Sequence, residues 1–209
     1  MNIIDNLKWR YATKKFDTSK KISNENLELL KEAINLTASS YGLQPFKVLI
    51  IEDAQVREKL KAAAWGQPQL TDASHLLLFC NYLEVGPDKV DGYLKLRADI
   101  NNLNIEVSKD YGDMMKSAMA SLSQEQTEIW TSKQTYIALG TLLAASAELK
   151  IDSCPMEGFD KAEFDKILGL KEKGLSASVI GAIGYRADDD SYAEFKKVRK
   201  PLSEIFGKV

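Results

Sequence analysis

Apolar residues recur at helical spacing from Asn24 to Leu36, where Leu27, Leu30, Ala33, Ile34 and Leu36 share one stripe and Ser23 stands at the N-cap. Phe46–Glu52 (FKVLIIE) and Leu76–Tyr82 (LLLFCNY) are short, nearly continuous apolar runs, the pattern of strands covered on both faces. Between them Gln55–Ala64 reads as a helix. Tyr93–Met119 reads as helical and mixed in polarity, with a Met-rich, Gly-interrupted middle (DYGDMMKSAM) of the kind that caps a pocket. Ser123 and Gln126 form a capping box that opens a helix of about 27 residues, apolar on nearly all sides from Tyr136 to Ala147 and hence central.

Downstream, Ser153–Met156 predicts a short strand running into a Pro155–Met156–Glu157–Gly158 turn. Asp160 and Glu163 repeat the capping pattern, Gly169 ends that helix, and Ser176–Tyr185 (SASVIGAIGY) is the last core strand. The tail, Asp188–Val209, is charged and poor in apolar area, so it must lie on something else. No repeat or Gly/Pro/Ser linker divides the chain, which predicts one α+β domain over residues 1–209. Neither the G-x-G-x-x-G of a dinucleotide fold nor a Walker loop is present.

Composition narrows the function. The chain has 209 residues, 44% of them hydrophobic, enough to bury a sizeable core. Lys plus Arg number 28 against 30 acidic residues, which argues against a general polyanion binder and so against nucleic acid. Met1–Phe16 lacks the apolar core of a secretory signal, and no uncharged run is longer than Gln134–Ala147, too short for the roughly 20 residues of a membrane span. With Cys80 and Cys154 in apolar, strand-like surroundings, reduced thiols and a cytoplasmic location are expected.

Candidate chemistry is sparse. His75, the single histidine, opens a buried strand and reads as structural, no metal cluster is expected, and Asp188–Asp190 reads as a solvated acidic turn. A chain with no nucleophile–base pair fits hydride transfer through a bound organic cofactor, which needs an anion clamp and a flat slot. Arg10 and Lys14, spaced i, i+4, and Lys197 and Arg199, alternating in an extended tail, are the candidate clamp from opposite ends of the chain.

These pieces resemble the FMN-dependent nitroreductase family, the oxygen-insensitive NAD(P)H oxidoreductases. The likeness runs almost end to end and rests on five motifs in order: Arg10-Tyr-Ala-Thr-Lys14-Lys-Phe16, Ala38-Ser-Ser-Tyr-Gly-Leu-Gln44-Pro45-Phe46, Asp72-Ala-Ser-His75, Pro155-Met-Glu157-Gly158-Phe159 and Lys197-Val-Arg199-Lys-Pro201. It implies an α+β fold with a central mixed sheet flanked by helices. It also implies an obligate homodimer with flavins in clefts at the subunit interface, the long central helix in that interface, and a C-terminal tail crossing to the partner.

Carried over residue by residue, the resemblance implies that Arg10, Lys197 and Arg199 hold the FMN phosphate, with Tyr11 and Ala12 contributing backbone groups. Lys14 is expected near the N1/O2 edge of the isoalloxazine. Gln67 and Gln69, standing where some relatives place an Asn and a Lys, are assigned to the pyrimidine edge. The turn of Pro155, Met156, Glu157 and Gly158 would present N–H groups toward N5 and O4, and Ser39, Ser40 and Tyr41 would come from the other subunit. Tyr41, Met115 and Met119 are candidates for the wall of the substrate slot. No catalytic side chain is assigned. The implied activity is ping-pong two-electron reduction of nitroaromatics, quinones or related small acceptors by NAD(P)H. Quinone or enone reduction as the physiological role, a flavin-binding homodimer without turnover and a flavin-free structural dimer are the alternatives.

Overall fold

The structure, a computed structural model, describes residues 3–209; Met1 and Asn2, the start of the segment read for an export signal, lie outside the described residues. In chain order it comprises α1 (Ile3–Trp9), α2 (Asn24–Asn35), β1 (Phe46–Ile51), α3 (Ala54–Ala62), α4 (Gln69–Asp72), β2 (His75–Tyr82), α5 (Pro87–Asn101) and α6 (Lys109–Ala120). There follow α7 (Gln124–Glu148), β3 (Asp152–Met156), α8 (Lys161–Leu168), β4 (Leu175–Gly184) and α9 (Leu202–Ile205). The α+β class is borne out. The strands form one sheet of order β1-β2-β4-β3, and every ladder within it is antiparallel. The expected mixed character is confined to an isolated parallel bridge between Ala12 and Ser153, at the edge of β3.

The continuous apolar runs follow from helices on both faces of this sheet. Successive residues of β2 point to opposite sides: Leu76, Leu78 and Cys80 join Leu60, Phe164 and Leu170 of one core, while Leu77 and Phe79 join Leu30, Ile34, Leu139 and Leu142 of the other. α7 begins at the capping box read from sequence, with Ser123 Oγ accepting the Gln126 N–H and the Gln126 side chain accepting the Ser123 N–H. Its inner face approaches β4 closely because position 181 is glycine; a Cβ there would lie 2.7 Å from Leu142 Cδ2. Its outer face leaves Ile129, Tyr136 and Ile137 exposed beside Gly140, so its all-round hydrophobicity divides between the sheet and an uncovered apolar stripe.

The segment read as one helix, Tyr93–Met119, is interrupted. Asn102 adopts a left-handed conformation (φ 52°) that ends α5, and the tight turn Ile105–Ser108 leads into α6. α5 and α6 pack on each other through Val90, Leu94 and Met115, with Tyr41, Leu43, Tyr93 and Tyr111 against them. His75 Nδ1 lies 3.0 Å from Ser74 Oγ, and burial pulls its pKa down. Both cysteines are free and buried; burial pushes the Cys80 thiol up to about 12 and raises that of Cys154. Among the described residues, no helix is long and apolar enough to cross a membrane.

Candidate functional site

The two ends of the chain meet beside β3. After α1 the backbone extends: Thr13 N–H donates to the Ser153 carbonyl (3.4 Å), and Asp17 N–H donates to that of Tyr185 (2.8 Å). Phe16 is the anchor of this segment, 5% exposed and seated against Gly184, where a Cβ would stand 2.9 Å from its ring. On leaving β4 the chain is tied back by Arg186, whose N–H and Nε donate to the buried Asp152 carboxylate (2.9 and 2.8 Å). The Arg186 guanidinium lies 4.6 Å from the ring centroids of both Trp9 and Tyr11.

Asp190 completes the junction, and it corrects the reading of Asp188–Asp190 as a solvated turn. It is only 4% exposed. Its Oδ2 accepts from Lys14 N–H (2.9 Å), Lys15 N–H (3.1 Å) and the Tyr11 hydroxyl (2.9 Å), and its Oδ1 accepts from Tyr192 N–H (3.3 Å). Burial by itself would raise this carboxyl; the donors around it outweigh that cost and hold its pKa below the usual carboxylate range. Asp189 does lie at the surface, paired with Lys15 at 2.7 Å.

The result is a cavity of about 380 Å³ lined by Arg10, Tyr11, Ala12 and Lys14 from the first segment, Pro155 from the turn after β3, and Tyr192, Phe195, Lys196, Lys197 and Arg199 from the tail. The proposed clamp residues are therefore brought together, with the Lys197 ammonium donating to the Arg10 carbonyl. Positive charge is crowded here. Burial lowers the pKa of Arg10, and neighbouring Arg199 lowers it further; burial lowers that of Lys197, with Arg10, Arg199 and Arg186 adding to the effect. Arg10 Nε is buried without a hydrogen-bond partner. A buried, unpaired cation edge is costly, and the Asp190 carboxylate of the same junction is committed to four other donors. Chemically the cleft fits a multiply charged oxyanion.

The remaining candidates divide. The turn after β3 adjoins the cavity through Pro155; its Gly158 carbonyl accepts from Gln67 Nε2 (2.6 Å), and Glu157 accepts a short hydrogen bond from the Tyr136 hydroxyl. Gly158 lets Trp65 and Gln67 pack closely, since a Cβ would lie 3.2 Å from the Trp65 ring and 3.3 Å from Gln67 Nε2. Both Nε2 hydrogens of Gln67 are engaged, the second by the Ala64 carbonyl (3.1 Å), so Oε1 is what this amide has left to offer a ligand. Gln69 is buried at the start of α4 with its Oε1 unpartnered.

Ser39, Ser40, Tyr41, Met115 and Met119 are not among the residues lining the cavity. Ser39 Oγ accepts from Gln44 N–H (2.9 Å), Ser40 N–H donates to Gln134 Oε1 (2.9 Å), and the Tyr41 ring sits 6.5 Å from that of Trp130. Met115 is fully buried between α5 and α6, where it packs and cannot wall an open slot in this protomer; Met119 is half-buried on α6. Sequence reasoning missed Asp190, Tyr192, Phe195 and Lys196, the Tyr136–Glu157 contact, and Trp65, whose indole is 73% exposed over Gly158. The acidic run at 188–190 was the available signal for the first.

A family model described as "Nitroreductase family" matches residues 7–185. Among curated relatives, a Bacillus subtilis (strain 168) protein named "Putative NAD(P)H nitroreductase YfkO" is 36% identical over 201 residues, 90% of each chain. Among solved structures, a Staphylococcus epidermidis protein described as a "putative NAD(P)H:FMN oxidoreductase" has a TM-score of 0.89 at 20% identity, covering 100% of this chain and 96% of that one. An Exiguobacterium sibiricum protein described as a "putative nitroreductase in complex with FMN" has a TM-score of 0.85 at 19% identity, covering 100% and 98%. At such identities the structural likeness is one of fold.

Proposed function

This chain belongs to the nitroreductase family, and from that premise we propose that it is an FMN-dependent NAD(P)H oxidoreductase acting on small electron acceptors. The observation that carries the reading is the buried, partnerless Nε of Arg10 in a cleft of converging cations from both termini. A phosphate monoester carries about two negative charges and three acceptor oxygens, which matches that donor set in sign and number. Arg10, Lys197 and Arg199 would hold the phosphate. Lys14 would serve the N1/O2 edge, Gln67 Oε1 would accept from N3–H, and the N–H groups of the Pro155–Gly158 turn would serve the N5 and O4 edge. The role of Gln69 at the pyrimidine edge rests on its unpartnered Oε1.

FMN, when bound, supplies two-electron hydride chemistry between NAD(P)H and an acceptor such as a nitroaromatic, quinone or activated alkene. The protein's own work is binding, orientation and electrostatics. One slot shared by donor and acceptor gives a ping-pong order, and no side chain of the cleft is needed as a nucleophile.

The reading includes a homodimer. The outer stripe of α7 (Ile129, Tyr136, Ile137) and the exposed tail residues Phe195, Val198, Leu202, Ile205 and Phe206 are apolar surface with no cover in one protomer. β1 is an edge strand flanked by an apolar groove of about 440 Å³ lined by Ile34, Leu43, Phe46, Val48 and Ile50, which offers such a tail a seat. Ser39, Ser40, Tyr41 and Met119, which do not line the cavity of their own chain, would meet the partner's cofactor. Sedimentation is expected to give twice the 23.3 kDa chain mass.

The test is the visible spectrum of the purified protein during FMN titration and then anaerobic addition of NADPH or NADH. Flavin bound stoichiometrically and bleached by either donor is the expected result. Protein that takes up no FMN refutes the reading, and bound flavin that neither donor bleaches makes this a flavin-binding dimer without turnover.

A further inference from the structure

Glu157 is the only charged residue of the Pro155–Gly158 turn, and its side chain is closed onto α7 by the Tyr136 hydroxyl. The other fastenings of this region act elsewhere. Gln67 holds the Gly158 carbonyl, Phe159 N–H donates to the Glu157 carbonyl (2.9 Å), Asp160 N–H donates to the Ala63 carbonyl (2.8 Å), and the Phe159 ring packs on Phe164 at 4.4 Å. These fix the backbone from Glu157 onward and leave the carboxylate to Tyr136.

Tyr136 itself stands among the outward apolar residues of α7, next to Ile137 and one turn from Gly140, where its ring suits an apolar surface and its hydroxyl needs a polar partner. Burial, and then the neighbouring Glu157, push the phenol up to about 12, so it remains a donor at every physiological pH.

We propose that Tyr136 is a positioning residue for this turn: by binding Glu157 it keeps the carboxylate engaged against α7 and aside from the cofactor edge that the turn's N–H groups serve. The proposal deepens the flavin reading above and rests on it. Its physical content is a sign. Lys14 at one edge of the ring system favours the more negative, reduced state of the cofactor, whereas a carboxylate released at the opposite edge would disfavour it. A hydrogen bond from a neutral phenol spreads the carboxylate's charge and fixes its direction. The resting balance thus depends on a hydroxyl that never touches the reacting atoms.

The experiment is a redox titration of the FMN-loaded protein against a reference dye, with FMN affinity measured in parallel. Tyr136→Phe is expected to lower the affinity for reduced relative to oxidised FMN about tenfold, a drop of about 30 mV for a two-electron couple. Glu157→Gln, whose amide oxygen still accepts from the phenol, is expected to shift the ratio the opposite way. In the Glu157→Gln background Tyr136→Phe is expected to change it less than about twofold, because the charge it released is gone. A potential unmoved by Tyr136→Phe, or the same tenfold loss persisting in the Glu157→Gln background, overturns the proposal while the flavin reading stands. Wild-type protein that takes up no FMN overturns the flavin reading itself, before any variant is compared. Should Tyr136→Phe not fold, the Glu157→Gln shift decides alone, a ratio equal to or below that of the wild type being the adverse result.

Discussion

Replacing Asp190 by Asn tests whether the cation cleft is assembled by a buried carboxylate. In the native protein three donors converge on one oxygen, Lys14 N–H, Lys15 N–H and the Tyr11 hydroxyl, and a fourth, Tyr192 N–H, meets the other. An Asn side chain of the same shape can place its carbonyl oxygen where the three donors meet, but its bonds lose charge assistance. Hydrogen bonds to a charged group contribute about 1.5–3 kcal/mol against about 0.5–1.5 for neutral pairs, so each is expected to weaken by about 1 kcal/mol. The amide NH2 then faces Tyr192 N–H, donor against donor. Because bonds sharing one acceptor are not additive, the expected loss is about 2–3 kcal/mol in all. For a chain of this length that corresponds to a melting temperature lower by about 4–12 °C. The assay is urea and thermal unfolding of the FMN-free protein, followed by FMN titration, in which affinity falls because Lys14 and the tail lose their common anchor.

The pH dependence supplies a second check. The folded Asp190 pKa is depressed. Its contribution is therefore fully present above the ordinary carboxylate value of about 3.9 and is lost as pH falls through the lower folded value, so the stability difference between wild type and Asn should vanish only in that acid range. Asp189→Ala is the control: its exposed pair with Lys15 predicts a change within about 0.5 kcal/mol. Asp190→Asn as harmless as Asp189→Ala, in both stability and flavin affinity, would refute the reasoning.

Three further outcomes follow from the same structure. Arg199→Ala or Lys197→Ala should weaken FMN binding by about 1–3 kcal/mol, the scale of a lost charge-assisted bond, as read by fluorescence titration; flavin retained as tightly as in Asp189→Ala would remove both residues from the clamp. Lys14→Met should leave phosphate-driven affinity largely intact while lowering the flavin midpoint potential, since a cation at about 4 Å and an effective dielectric of about 20 is worth on the order of 4 kcal/mol before desolvation. An unchanged potential would move that edge of the site elsewhere. Gly181→Ala inserts a methyl 2.7 Å from Leu142 Cδ2 and should cost about 1–3 kcal/mol in urea unfolding, through overpacking between α7 and β4; a neutral result would mean that the helix can shift freely on the sheet.

Much of the local structure was legible because it depends on near neighbours in the chain. Ser123 with Gln126, Asp160 before Glu163, and Gly169 in the left-handed conformation mark helix ends by bonds that span three or four residues. The alternating sides of β2 follow from strand geometry once both faces are covered. Arg10, Lys14, Lys197 and Arg199 could be named in advance as candidate clamp residues because they sit in family-like motifs.

Other features had no local signature. Asp190 looks from sequence like its two exposed neighbours, and only the return of the tail onto residues 11–15 buries it. Met115 reads as a flexible wall of a pocket, yet the break at Asn102 folds α6 back on α5 and turns it inward. Gln67 offers two donors in isolation, but the Ala64 and Gly158 carbonyls consume both. By itself the sequence determined most of the longer elements, several of their caps and the residues able to bear charge, since propensity, periodicity and side-chain chemistry are properties of short stretches. The tertiary structure decided the all-antiparallel sheet order, the meeting of the two termini and the partners of each buried polar group, because desolvation is set by whatever distant segments come to lie on top.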